Sequence, residues 1–154
     1  MKMAEEKSQV RISGNQLVQL GNQERVKLEE INRKVQAFQD FRAELQMAID
    51  SLAELGKNKK GEKMLVSLGA GVYAEASIEK TDEAIFSLAG NVFKSKKSEG
   101  ITKILKNKIA SINKTLEKTA QDQQKAWSRL NQIEQIMEAG RRHMQQQAKK
   151  TAQS

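Results

Sequence analysis

Two heptad seams of matching extent bracket a short segment whose apolar period is two, and that arrangement leaves this chain few ways to fold. From Leu105 one seam steps by four and three through Ile109, Ile112, Leu116, Thr119, Gln123, Ala126, Leu130, Ile133, Met137, Gly140 and Met144. Sustained stepping of that kind marks a coiled-coil helix whose stripe needs a partner. The other seam runs Leu17, Glu24, Leu28, Ile31, Val35, Phe38, Arg42, Leu45, Ile49 and Leu52, with Phe41, Ala48 and Leu55 widening it. Each seam fits the other, so the chain is expected to double back as an antiparallel two-helix arm. On that reading Leu52 meets Ile109, Phe38 meets the Gln123 region, and Leu17 meets Met144.

Composition agrees with a rod. Only 38% of residues are hydrophobic and 4% aromatic, with a mean hydropathy of −0.68, which leaves little for a globular core once the seams are filled. There is no Pro, and a Pro inside a helix costs about 3 kcal/mol. The absence of Cys removes disulfides and thiolate metal sites. No apolar run approaches the roughly 20 residues of a membrane span, and no signal-peptide pattern is present, so a cytoplasmic protein is expected.

Between the seams the period shortens. Met64, Val66 and Leu68 alternate first. Val72, Ala74, Ala76 and Ile78 follow a Gly69-Ala70-Gly71 break. After the polar run 80–83 come residues 84–88, and Gly90-Asn91 turns into Val92-Phe93. Such a pattern predicts a four-strand meander or two linked hairpins. Ser13 and Gln16 have the spacing of a capping box, Gly56 suits a helix C-terminus, and Ser98-Glu99 suits an N-cap with a first-turn acid. The expected organisation is a flexible N-terminal tip (1–12), a coiled-coil helix (13–56), a β-hairpin module (62–95), a second helix (98–147) and a disordered tail (148–154). The fold class is α+β. About 30 residues of strand with one apolar face and open edges are marginal alone, so the hairpins are expected to close with other subunits into a shared barrel.

The net charge of +8 is unevenly placed. Residues 57–63 carry four Lys and one Glu, and residues 94–108 carry six Lys and one Glu, whereas residues 64–93 carry one Lys and four acids. A solvated surface is one reading; a docking surface for acidic partners or nucleic acid is the other.

Catalytic patterns are missing. Gly56 and Gly61 have the Walker A separation, yet Glu62-Lys63 follows where Lys and Ser/Thr are required. Gly69-x-Gly71-x-x-Ala74 precedes a strand instead of the helix N-terminus that a pyrophosphate needs. His143, the single histidine, sits in a basic, Gln-rich end, and the acids are spaced for i,i+4 ion pairs such as Glu30 with Lys34. No enzyme activity, catalytic residue, cofactor or metal is expected. Trp127, beside Ala126, is expected to pack over the arm. Ile12, Leu17, Leu20, Met137 and Met144, with Met1, Met3 and Val10, gather apolar side chains where the helices end. They either finish the coil or grip other apolar surface, a task flexible Met suits.

The wording of residues 64–78, MLVSLGAGVYAEASI, and 84–93, AIFSLAGNVF, within the helix–insert–helix layout, resembles the alpha class of archaeal prefoldin subunits. The resemblance spans roughly residues 13–147, and two hairpins instead of one favour the alpha over the beta class. Ser67 stands where alpha-class members usually carry Pro, and the chain is basic where they are commonly acidic. The resemblance implies an ATP-independent holdase: a hexamer of two alpha and four beta subunits, with a double β-barrel body and six coiled-coil tentacles. Tentacle ends of that family hold non-native polypeptides and pass them to a group II chaperonin. Carried over, assembly would fall to Val66, Leu68, Val72, Ala74, Ala76, Ile78, Phe86, Leu88 and Val92, and client binding to Ile12, Leu17, Leu20, Met137 and Met144. One rival is a nucleic-acid- or ribosome-associated coiled coil using Lys94, Lys96, Lys97, Lys103, Lys106 and Lys108, but these stretches lack the interleaved aromatics of a stacking platform. A second rival is a structural coiled-coil scaffold with no preference for denatured clients.

Overall fold

The computed structural model describes residues 12–151. They form α1 (Gly14–Leu55), β1 (Lys63–Gly69), β2 (Val72–Ser77), β3 (Glu83–Ala89), β4 (Val92–Lys97) and α2 (Ser98–Thr151). Of the expected N-terminal tip, only Ile12 falls within the described residues. The helix α1 opens on the expected capping box: the Ser13 N–H donates to the Gln16 side-chain carbonyl at 2.8 Å, and the Gln16 N–H donates to the Ser13 hydroxyl at 3.3 Å.

One local expectation is met by a different geometry, and two fail for identifiable reasons. The helix α1 stops at Leu55 with Gly56 just past its end, as expected, but Gly56 is not in the left-handed region. Its N–H still bonds the Leu52 carbonyl at 3.1 Å, and two tighter turns follow, Lys57 to Glu54 and Asn58 to Leu55. The left-handed glycine is Gly61, with φ 83°. Ser98 is no N-cap, because β4 runs straight into α2; the Ser98 N–H donates to the Asp82 carbonyl at 2.8 Å and its hydroxyl oxygen is buried without a partner. Finally, α2 continues to Thr151 where a disordered tail was expected from 148. Gln, Ala and Lys are all good helix formers, and Lys149 and Lys150 in the last turn suit its dipole.

The chain divides into two compact units. In the unit spanning 36–117, Leu45 and Ile49 of α1 pack with Ile101, Leu105 and Ile112 of α2. Phe38, Leu52, Ile109 and Leu116 lie against this core, as do Ala84 and Phe86 of β3. Leu52 and Ile109 both lie against this core, but the Arg42–Asn113 bond sets the helices roughly a heptad away from the register in which these two would meet. Ile101, at 4% exposure the most buried side chain among the described core residues, lies one turn before the seam read from the sequence. Arg42, the one basic residue on its seam, is exposed and donates to the Asn113 side chain at 3.3 Å. Phe41 and Ala48 are exposed, so the apolar stripe is narrower than expected.

The hairpins of this unit are two separate two-stranded sheets, β1–β2 and β3–β4, and not a four-strand meander. They repeat one another at an offset of twenty residues. Ser67 pairs with Tyr73 and Ser87 with Phe93; Gly69 pairs with Val72 and Ala89 with Val92; each ladder has its irregularity just after the serine. The first turn holds Gly69, Ala70 and Gly71 at φ 96°, 51° and 79°, a run that glycine makes accessible. Between the hairpins, the Lys80 ammonium lies 2.7 Å from the Glu83 carboxylate and holds that carboxyl below the usual glutamate range, with the Ser95 hydroxyl assisting.

In the unit formed by 12–35 and 118–151, the helices again run antiparallel. Gln123 donates to Asn32 at 2.7 Å, and Arg25 pairs with Glu134 at 2.8 Å. A Cβ on buried Gly21 would stand 3.6 Å from Ile133, so a small residue allows close approach there. The Asn32–Gln123 bond corrects the expected register by roughly one heptad, since Phe38 was to meet Gln123. Glu24 is the one buried charged residue described; one carboxylate oxygen binds Lys27 at 2.8 Å and the other has no partner.

Two outcomes follow from these charges. Glu24→Leu removes a buried, half-satisfied carboxylate and should stabilise the folded chain by about 1–2 kcal/mol in urea titrations, Lys27 being free to rehydrate. Because Glu83 has a lowered pKa, its tie to Lys80 is present above the ordinary glutamate pKa and lost as pH falls through the folded value. An NMR carboxyl titration should find Glu83 ionising below the usual range, and Lys80→Met should move it back up.

Candidate functional site

The hairpins expose apolar side chains on both of their faces. On β1–β2 the ladder sets Met64 opposite Ala76 and Val66 opposite Ala74 on one face, and Leu65 opposite Glu75 and Ser67 opposite Tyr73 on the other. The second hairpin repeats this with Ile85 and Phe93 in the places of Leu65 and Tyr73. Leu65 and Ile85 are 68% and 76% exposed, and Tyr73 and Phe93 are also exposed. A hairpin in water hides one apolar face at most; apolar side chains on both faces are the composition of strands that become covered on both sides.

Of the assembly residues expected from the sequence, Val66, Leu68, Val72, Leu88 and Val92 are exposed, and Ala74 and Ala76 are half-buried. Two are otherwise engaged. Ile78 is 6% exposed, its backbone tied to residues 61 and 62, and half-buried Phe86 packs on the helical core beneath the Lys108 ammonium, 5.6 Å from its ring centre. Neither offers the free surface a neighbour would need. With Met64, Ala48, Leu52 and Leu55 they line an open apolar cavity of about 630 Å³. Leu65, Tyr73, Ile85 and Phe93 are exposed apolar residues that the alternating pattern did not single out. Their signal was present as apolar neighbours in succession, Met64-Leu65-Val66 and Ala84-Ile85-Phe86, which strict alternation discards.

The second surface lies in the unit formed by 12–35 and 118–151. Ile12, Leu20 and Met144 are exposed, while Leu17 and Met137 are half-buried. Val18 and Ile136, not among the expected residues, are exposed as well. With Gly21 set against Ile133, antiparallel helices bring Leu17 to the level of Met137, not Met144. From about residue 141 onward α2 lies beyond the first turn of α1, and residues 141–150 are exposed. Met144 is thus an apolar side chain on an uncovered helical extension, next to Arg141, Arg142 and His143. Trp127 is 53% exposed and does not close over the arm. Among the described residues no group of three or more His, Asp or Glu could hold a metal ion, and no helix is long and apolar enough to cross a membrane.

Comparison with known proteins matches this architecture. The family model described as prefoldin subunit covers residues 25–141, more than half of the chain. A prefoldin subunit alpha of Thermofilum pendens is 27% identical over 106 residues, covering 69% of this chain and 82% of that protein. A prefoldin subunit alpha of Methanothrix thermoacetophila is 26% identical over 103 residues, 67% of each chain. A cryo-EM structure of filamentous PFD from Methanocaldococcus jannaschii superimposes with a TM-score of 0.64 at 18% identity, over 77% of this chain and 96% of that one, a likeness of fold. Two long helices enclosing two antiparallel hairpins, with this family match and these alpha-subunit relatives, make the chain a member of the prefoldin family of chaperone subunits, in its archaeal alpha class.

Proposed function

We propose that this chain is a cytoplasmic subunit of an ATP-independent holdase. Its hairpins join it to beta-like prefoldin subunits, two copies with four, and the ends of its helices hold non-native polypeptides for delivery to a group II chaperonin. The observation that carries this reading is the repeated set of exposed apolar residues on the hairpins, Leu65, Tyr73, Ile85 and Phe93 foremost. Family membership supplies the chaperone class. Exposed apolar side chains at the helix ends, Leu20, Ile136 and Met144, supply adhesive surface without a pocket. Several such ends acting on one client multiply weak contacts through effective concentration, so none has to bind tightly alone.

Two substitutions separate the roles. Leu65→Asp with Ile85→Asp places charge on side chains that the monomer leaves in water, so helicity by circular dichroism should be kept while native mass spectrometry with the co-expressed partner subunit shows the complex gone. Leu20→Ser with Met144→Ser should leave the mass of the complex intact and weaken suppression of aggregation of a denatured client severalfold by light scattering. Unchanged suppression would remove the helix ends from client binding.

A further inference from the structure

The two hairpins match in apolar pattern and differ in charge. Ala74, Ala76 and Ser77 of β2 have Lys94, Lys96 and Lys97 as their counterparts on β4. On the first hairpin the single cation, Lys63, pairs with Glu75 at 2.6 Å, leaving it neutral. On the second, Glu83 is held by Lys80 and stands opposite Lys97 in the ladder. Lys94 and Lys96 have no carboxylate partner among the described residues. In the ladder Lys94 faces Phe86 and Lys96 faces Ala84, on one side of the sheet, and the Lys108 ammonium lies over the same Phe86 ring. Two lysines of β4 thus share a face of the sheet with the ring under Lys108, and the outer edge of β4 is unpaired among the described residues.

An edge strand offers a row of free N–H and C=O groups to any incoming strand, and lysines on it decide which strand can stay. A twofold pairing of β4 with its own copy, centred on residues 94–96, sets Lys94 or Lys96 directly against Lys, and like charges opposed across a ladder are destabilising. A strand with Asp or Glu at alternate positions would reverse the sign of each of these pairs. We propose that β4 is a pairing edge that rejects a second copy of this chain and accepts an acidic strand of a non-identical subunit, with Lys94 and Lys96 as the selecting residues. The neutral β1–β2 hairpin carries no such bias. This inference rests on the reading of the hairpins as assembly surfaces.

The chain itself can supply both signs. Wild type, K94E/K96E and K94T/K96T would be examined alone and in equimolar mixtures by analytical ultracentrifugation. Wild type mixed with K94E/K96E should associate about tenfold or more tightly than either alone, and the gain should vanish near 1 M salt, where the screening length falls to roughly 3 Å. The neutral K94T/K96T variant should self-associate more tightly than wild type. K114E/K118E, the same charge change made on α2, should give no gain when mixed with wild type; an equal gain would assign the effect to net charge and overturn the proposal. So would a mixture no tighter than its components, or wild type self-associating as well as K94T/K96T. If no species or mixture associates at all, the hairpins are not assembly edges, and the reading of function falls with the inference.

Discussion

The unit that carries the hairpins depends on a single apolar cluster. Ile101 and Leu105 of α2 meet Leu45 and Ile49 of α1, and Ala84 and Phe86 of β3 rest on the same group. A two-stranded hairpin has too little surface of its own to persist in water. Here one hairpin is anchored by its own side chains, and both are tied at their bases through backbone bonds, Gly61 and Glu62 with Ile78 and Ser98 with Asp82. The same side chains that join the helices thus hold the strands, and no separate core for the strands is needed.

Much of this was legible beforehand. The seams from Leu45 to Leu52 and from Leu105 to Leu116 became the core because a four-and-three spacing has one physical solution, a stripe covered by a partner helix. The capping box was readable for a similar reason: Ser13 and Gln16 satisfy each other's neighbouring N–H groups without help from tertiary structure. What the spacing did not contain was the stagger between the helices. That is set by the steric fit of Gly21 against Ile133 and by the Asn32–Gln123 bond, and neither announces itself as part of an apolar pattern. Ser98 misled because a cap depends on the chain arriving from a loop, and here it arrives from a strand.

The surface residues were the least legible. Alternation singles out one face of a strand, which brought out Val66, Leu68 and Val72 and passed over Leu65, Tyr73, Ile85 and Phe93, all of them exposed. A chain analysed alone does not say whether the second face will be covered, and only pairing and exposure together reveal that both faces are apolar. Phe86 and Ile78 have the period of an outward-facing residue, yet Phe86 packs on the helical core and Ile78 is buried within its own unit.

The twenty-residue repetition of the hairpins has a further meaning, one of valence. A protomer with one adhesive element can only terminate a growing aggregate, whereas a protomer with two can link neighbours. By carrying the motif twice, Met64 to Phe93, this chain would have the connectivity of a linker if both hairpins attach, and whether its oligomers close or propagate would then rest with what occupies the second.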